Sequence, residues 1–380
     1  MIPRSIFNSD HEQFRDSFGK FLDSEVVPHH EQWERDGMSS REIWYKAAEH
    51  GFLCPSVPEE FGGLELDFRY NMIMAEESCK RMVTALGFGL HNDIVVPYII
   101  KNGNEEQKRK YLPGCLSGEI VTAIAMTEPG AGSDLQGVKT TAVPKGDSYI
   151  INGSKTFISN GQLADLFIVV CKTDPSAGAK GISLCLVDAN TPGFKRGKNL
   201  EKIGLKGQDT SEIFFQDVVI PKENILGGLN QGFYCLMKEL AQERLSIAVS
   251  STAACETILE KTVAYVKERE AFGKSIAHFQ NTQFKLAELD AEISCMRVFV
   301  DRCVELIIER KLDSVTASKA KLMATELEGK VVDQCLQLFG GYGYMLEYPI
   351  ARAYANARIT RIFGGTSEVM KLIISRELLG

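Results

Sequence analysis

The hydrophobic period changes twice along this chain, and a fold that satisfies both changes must combine helical and sheet layers. From about Ser9 to Leu116 apolar side chains recur at helical spacing, with Phe14, Phe18, Phe21 and Leu22, then Val26 and Val27, on one face. Pro55, Pro58, Gly62, Gly63, Gly103 and Asn104 mark the joints between these helices. From roughly Val121 to Gly228 the pattern is that of strands: Tyr149–Ile151, Phe167–Val170, Ile182–Leu186 and Ile213–Phe215, each bounded by turn residues. Beyond Gly232 long helices return, over about Phe233 to Arg269 and Thr282 to Glu309, with breaks near Gly340 and Gly364. The expectation is an α+β chain with an N-terminal helical domain (1–120), a middle antiparallel β-domain (121–232) and a C-terminal helical bundle (233–380).

This order is not the βαβ alternation of a doubly wound nucleotide-binding sheet, and no Walker loop is present. The formal net charge is −7 with Lys and Arg dispersed among acids, which argues against nucleic acid and against a polybasic membrane patch. No apolar run approaches membrane-spanning length, and the start, MIPRSIF, lacks a signal core. A cytoplasmic location of bacterial type is expected, or the mitochondrial matrix if the chain is a processed form. Ten cysteines without CxxC pairs read as reduced core residues, and six histidines without HExxH point to no metal.

Chemistry enters with Ala125-Met126-Thr127-Glu128-Pro129-Gly130-Ala131-Gly132-Ser133-Asp134, whose order is more specific than its glycine content. Asn152-Gly153-Ser154-Lys155, Phe157-Ile158-Ser159-Asn160, Arg269-Glu270-Ala271-Phe272-Gly273-Lys274 and Gln337-Leu338-Phe339-Gly340-Gly341 follow in turn. Ile362-Phe363-Gly364-Gly365-Thr366-Ser367-Glu368 closes the series. Together these segments resemble the acyl-CoA dehydrogenase family across almost the whole chain, and in motif most nearly its long-chain members.

The resemblance implies noncovalent FAD, a homotetramer, an acyl-CoA substrate and electron-transferring flavoprotein as acceptor. It assigns Met126, Thr127, Gly132, Ser133, Phe157, Ile158 and Ser159 to the flavin. Arg269, Phe272, Gln280, Gln337, Gly340 and Gly341 become distal FAD contacts, commonly supplied by another subunit, with Thr366 and Glu368 completing the set. Ser133, Tyr234, Arg244 and Gly364 match or adjoin thioester and pantetheine contacts. Each residue taken alone has a plainer reading: Thr127 a turn cap, Phe157 a core ring, Ser159 a hairpin closure, Tyr234 a packed aromatic.

The catalytic base departs from the commonest family pattern. Many members carry Glu immediately before the Gly-Thr pair of the last segment, where this chain has Gly364. The long-chain and isovaleryl-type branches carry the carboxylate on an earlier helix, and Gln242-Glu243-Arg244-Leu245 resembles the long-chain version, which assigns the base to Glu243. Leu236, Leu240 and Ile247 share its helix face, so the carboxylate borders an apolar surface, where burial raises its pKa. A salt-bridged glutamate on an amphipathic helix is the plainer reading of the same residue.

The implied reaction is FAD-dependent α,β-dehydrogenation of a medium- to long-chain fatty acyl-CoA to its trans-2-enoyl form, within β-oxidation. A branched short-chain or carrier-bound acyl thioester is the alternative substrate. A catalytically silent scaffold is the alternative of another class.

Overall fold

The computed structural model describes residues 2–380. The first helix begins where Asn8 can cap it: its side-chain oxygen accepts from the amides of Asp10 and His11, while His11 Nδ1 accepts from Asn8 N. Helices α1 (Ser9–Phe21), α2 (Val27–Asp36), α3 (Glu42–Glu49), α4 (Phe68–Lys80), α5 (Val96–Asn102) and α6 (Glu105–Ser117) make up the helical first third. Phe14, Phe18 and Phe21 pack on Phe52 with ring centroids 4.9–5.5 Å apart. Leu90–Val95, directly before α5, winds as a π-helical turn that buries Asn92 and Asp93. Such wide turns redirect side chains and often occur at functional sites.

Eight strands follow in one sheet: β1 (Thr122–Ala125), β2 (Thr141–Lys145), β3 (Ser148–Ser159), β4 (Leu166–Lys172), β5 (Ile182–Asp188), β6 (Phe194–Asn199), β7 (Thr210–Pro221) and β8 (Ile225–Leu226). The spatial order is β6-β7-β3-β2-β4-β5-β8, with β1 added on β4. The expected antiparallel sheet is corrected to a mixed one, because β1 and β2 both pair with β4 in parallel. The reason is topological: the β2–β3 hairpin lies between β1 and β4 in sequence, and such a long excursion lets the chain re-enter in the same direction. Buried from Leu166 to Cys171, β4 reads as a continuous apolar run rather than an alternating one.

The last third is a bundle of α7 (Gly232–Glu268), α8 (Gln280–Ile308), α9 (Ser314–Phe339), α10 (Pro349–Ala357) and α11 (Ser367–Leu379). A two-strand hairpin, β9 (Glu270–Ala271) and β10 (Lys274–Ser275), joins α7 to α8. The 37-residue α7 positions the site. It starts hard against β5, where a Cβ on Gly232 would stand 2.7 Å from the Ser183 carbonyl carbon, so only glycine lets the helix approach the strand backbone. From there it runs past α4 on one side and α9 on the other, burying Leu245, Ala248 and Val249 with Met72 and Ala324.

Candidate active site

A cavity of about 780 Å³ opens where the helical first third, the sheet and the bundle meet. Its sheet wall begins at the loop after β1. A tight turn closes between Glu128 and Ala131 through reciprocal backbone bonds of 2.9 and 3.1 Å. Buried Glu128 accepts from the amides of Lys139 and Thr140 and from Lys155 Nζ at 2.8 Å, and Lys155 also donates to Met126 O at 3.0 Å. This satisfied ion pair, with Thr156 N donating to Thr127 O, locks the loop to β3.

Phe157 sits at a bulge of β3 with φ +60° and 66% of its surface exposed, so it is not a core ring. Asn160, also at positive φ, secures the bulge by donating to Gly87 O and Thr122 O. A bulky residue in left-handed backbone is strained, and the strain here presents an aromatic face to the cavity. Met126, Thr127, Gly132, Ser133, Phe157, Ile158 and Ser159 all line this wall. Nothing lies within 4 Å of a Cβ placed on Gly130 or Gly132, so packing does not demand glycine there. Their bare backbone leaves amides open to a ligand, as an electron-rich cofactor requires.

Glu243, Arg244 and Gly364 line the opposite wall. Glu243 is 6% exposed, and its Oε1 accepts from Tyr98 Oη at 2.7 Å. Burial pushes its carboxyl up to about 7, against the Tyr98 hydrogen bond and the nearby Arg244, which favour the charged form. Among the described residues it makes no ion pair, so the plainer salt-bridge reading does not describe it. One turn earlier, Glu239 carries an ion pair instead, to Lys101 at 2.7 Å, and Lys101 also reaches Gln242.

Two buried cations flank this wall. Arg244 Nη1 donates to Ser314 and Ser318 hydroxyls at 2.8 and 3.1 Å, while its Nε finds no partner among the described residues. Lys321, fully buried, donates to Gly365 O, and burial and Arg244 lower its pKa to about 8. The turn it grips places Gly364 and Gly365 in succession at φ +61° and +95°. A Cβ on Gly364 would meet Ile247 Cδ1 at 2.4 Å, so the turn lies directly on α7 one helical turn past Glu243. The wall thus combines a hydrogen-bonded carboxylate, positive charge and a backbone turn pressed against the same helix.

The remaining expected residues lie elsewhere. Arg269, Gln337, Gly340 and Gly341 line a second cavity of about 480 Å³ beside Tyr342. Phe272 stands 96% exposed at the tip of the β9–β10 hairpin, and Gln280 is exposed at the start of α8. Tyr234 points outward at 67% exposure and lines neither cavity. Thr366 caps α11 by accepting from Val369 N, with Glu368 in its first turn, and neither borders the main cavity. Tyr98, Lys321 and the Lys155–Glu128 pair were not singled out as site residues from the sequence. Tyr98 sits in the apolar run Val95-Val96-Pro97-Tyr98-Ile99 and carries no local sign that it meets a carboxylate 145 residues away.

Residues 8–119, 123–218 and 230–379 match the N-terminal, middle and C-terminal domains of acyl-CoA dehydrogenase. The long-chain specific acyl-CoA dehydrogenase of Mus musculus mitochondria is 50% identical over 99% of this chain and 88% of its own length. The crystal structure of an acyl-CoA dehydrogenase from Geobacillus kaustophilus superposes with a TM-score of 0.97 at 50% identity, covering 98% of this chain and 99% of that one. A Mycobacterium smegmatis glutaryl-CoA dehydrogenase in complex with FADH2 superposes with a TM-score of 0.91 at 26% identity, covering 99% and 96%.

Proposed function

Given that this chain belongs to the acyl-CoA dehydrogenase family, we propose that it desaturates a medium- to long-chain fatty acyl-CoA between its α and β carbons, with Glu243 as base. The observation that carries this reading is a carboxylate buried at the cavity wall, free of ion pairs among the described residues and raised to about 7. A base with a pKa near the working pH combines a useful ionised fraction with a strong pull on a weakly acidic proton.

FAD, when bound, supplies the two-electron acceptor that takes the β-hydrogen as hydride. Met126, Thr127, Gly132, Ser133 and Phe157–Ser159 would hold it along the sheet wall, a role the open glycines and the presented phenylalanine support. Glu243 removes the α-proton, leaving both electrons of that C–H bond to form the double bond as the β-hydrogen departs. Tyr98 keeps the carboxylate turned and favours its charged form. The Gly364 amide, on a turn gripped by Lys321, serves the thioester oxygen, and Arg244 with Lys321 biases the wall towards developing negative charge. Ser133 and the exposed Tyr234 are the secondary contacts to the rest of the thioester.

In this reading Arg269, Phe272, Gln280, Gln337, Gly340 and Gly341 serve FAD across a subunit boundary in a homotetramer, and electron-transferring flavoprotein reoxidises the enzyme. The deciding experiment is anaerobic flavin absorbance during titration with saturated acyl-CoAs of increasing length. Bleaching that strengthens towards long chains is expected, and persistent oxidised flavin with every acyl-CoA would reject the reading.

A further inference from the structure

The cavity face of α7 continues beyond Glu243 through Ser250, Ser251, Ala254 and Thr257. Ser251 lies ~12 Å further along the axis, at about 1.5 Å per residue. Opposite it stands Glu328 of α9, also on the cavity wall. Ser251 is 1% exposed and Glu328 7%, and neither Ser251 Oγ nor Glu328 Oε2 makes a well-formed hydrogen bond among the described residues, although the Ser251 and Thr360 hydroxyls approach the Glu328 carboxyl closely enough to favour its charged form. Cys79, Met82, Ile258 and Val332 line the same stretch together with the hydroxyls of Ser250, Thr257 and Thr360, so apolar side chains stand beside these two groups. Burial holds the Glu328 carboxyl up to about 7, where it can donate or accept. A plain alkyl chain passing here would strip both groups of water and leave them only each other and the Thr360 hydroxyl as imperfectly placed partners.

We propose that Ser251 and Glu328 form a polar subsite for a hydroxyl group carried in the middle of a long acyl chain. The hydroxyl accepts from Ser251 and exchanges a hydrogen bond with Glu328. Its position follows from the helix: an extended chain advances about 1.3 Å per carbon because single bonds of ~1.5 Å zigzag. A span of ~12 Å from the α-carbon at Glu243 therefore reaches to about carbon 11 or 12. The proposal rests on the reading that the acyl chain runs inward past Glu243.

The test compares 12-hydroxyoctadecanoyl-CoA with octadecanoyl-CoA on the FAD-loaded full chain, by flavin reduction and by equilibrium binding in the Glu243→Gln background, where turnover is blocked. The hydroxylated chain should bind about tenfold tighter, the worth of one buried hydrogen bond, and a chain hydroxylated at carbon 5 should gain nothing. Ser251→Ala and Glu328→Leu should each bring the ratio close to one, while Glu328→Gln, which keeps its volume and a hydrogen-bonding head, should retain part of it. Equal binding of the two chains to the parent, or a preference that survives both truncations, overturns the subsite. If octadecanoyl-CoA bleaches the flavin while the two chains bind equally, the subsite alone fails. If neither chain binds nor bleaches, the dehydrogenase reading fails with it.

Discussion

Protonating Glu243 should silence the enzyme. Burial raises its carboxyl to about 7, so kcat/KM for an acyl-CoA should climb with pH through that value and level off above it. The Tyr98 hydrogen bond opposes the rise, so Tyr98→Phe should move the limb to higher pH, with activity several-fold lower at pH 7 but close to the parent at pH 9. A pH–rate profile unchanged in that variant would show that the phenol does not govern the base. Glu243→Gln should retain its fold and FAD while slowing flavin reduction by about 10³-fold or more. It should also stabilise the protein. A carboxyl raised above its unfolded value favours folding fully only below about pH 4.5 and loses that contribution as pH climbs to about 7. Urea titrations should therefore show the Gln variant gaining up to about 3 kcal/mol at pH 8 and little at pH 4.

At the scale of elements, the turn at Gly364 and Gly365 makes a sharp claim. Left-handed backbone costs a side chain about 1–2 kcal/mol, and at Gly364 a Cβ also meets Ile247 Cδ1 at 2.4 Å. Moving the carboxylate there, as Glu243→Gln with Gly364→Glu, should restore little flavin reduction in stopped-flow traces, and adding Ile247→Ala should restore more. The sequence disclosed the helix-sheet-helix order and the glycine-bearing loop after β1, because each is written in a local period or a contiguous motif, and it pointed to Glu243 through the resemblance of Gln242-Glu243-Arg244-Leu245 to the long-chain branch. It did not disclose the parallel pairing of β1 and β4, since pairing direction depends on where the chain returns rather than on strand composition. Tyr98, Lys321 and Glu328 were illegible for a related reason. In sequence they are ordinary members of helical faces, and only tertiary approach gives them a carboxylate, a turn or a cavity. Phe157 was legible as a motif residue, yet its exposed, left-handed setting follows from a bulge that no period announces.

Across the whole molecule, the helical first third is fastened to the bundle by charge. Arg297, 2% exposed on α8, pairs with Glu76 of α4 at 3.0 Å and Glu256 of α7 at 2.6 Å, while Arg4 and Arg15 share Glu76. Removing one member strands buried charge, so Arg297→Ala should cost about 3–5 kcal/mol in chemical denaturation, whereas deleting the exposed Lys311–Glu309 pair should cost about 0–1 kcal/mol. At the far end, Phe272 and Gly273 hold the tip of the β9–β10 hairpin at φ +53° and +77°. On the proposed assembly, Phe272→Asp should yield smaller species in sedimentation and release FAD, and an unaltered sedimentation coefficient would argue against that hairpin as a subunit contact. The unbroken run of α7 from the strand at Gly232, past the base, to the hairpin also limits how this chain can change length over time. A residue gained or lost between Gly232 and Glu243 would swing the carboxylate by about 100° and slide it by ~1.5 Å, out of reach of Tyr98. Insertions and deletions among descendants of this sequence should therefore accumulate in the loops between strands and be purged from that one stretch of helix.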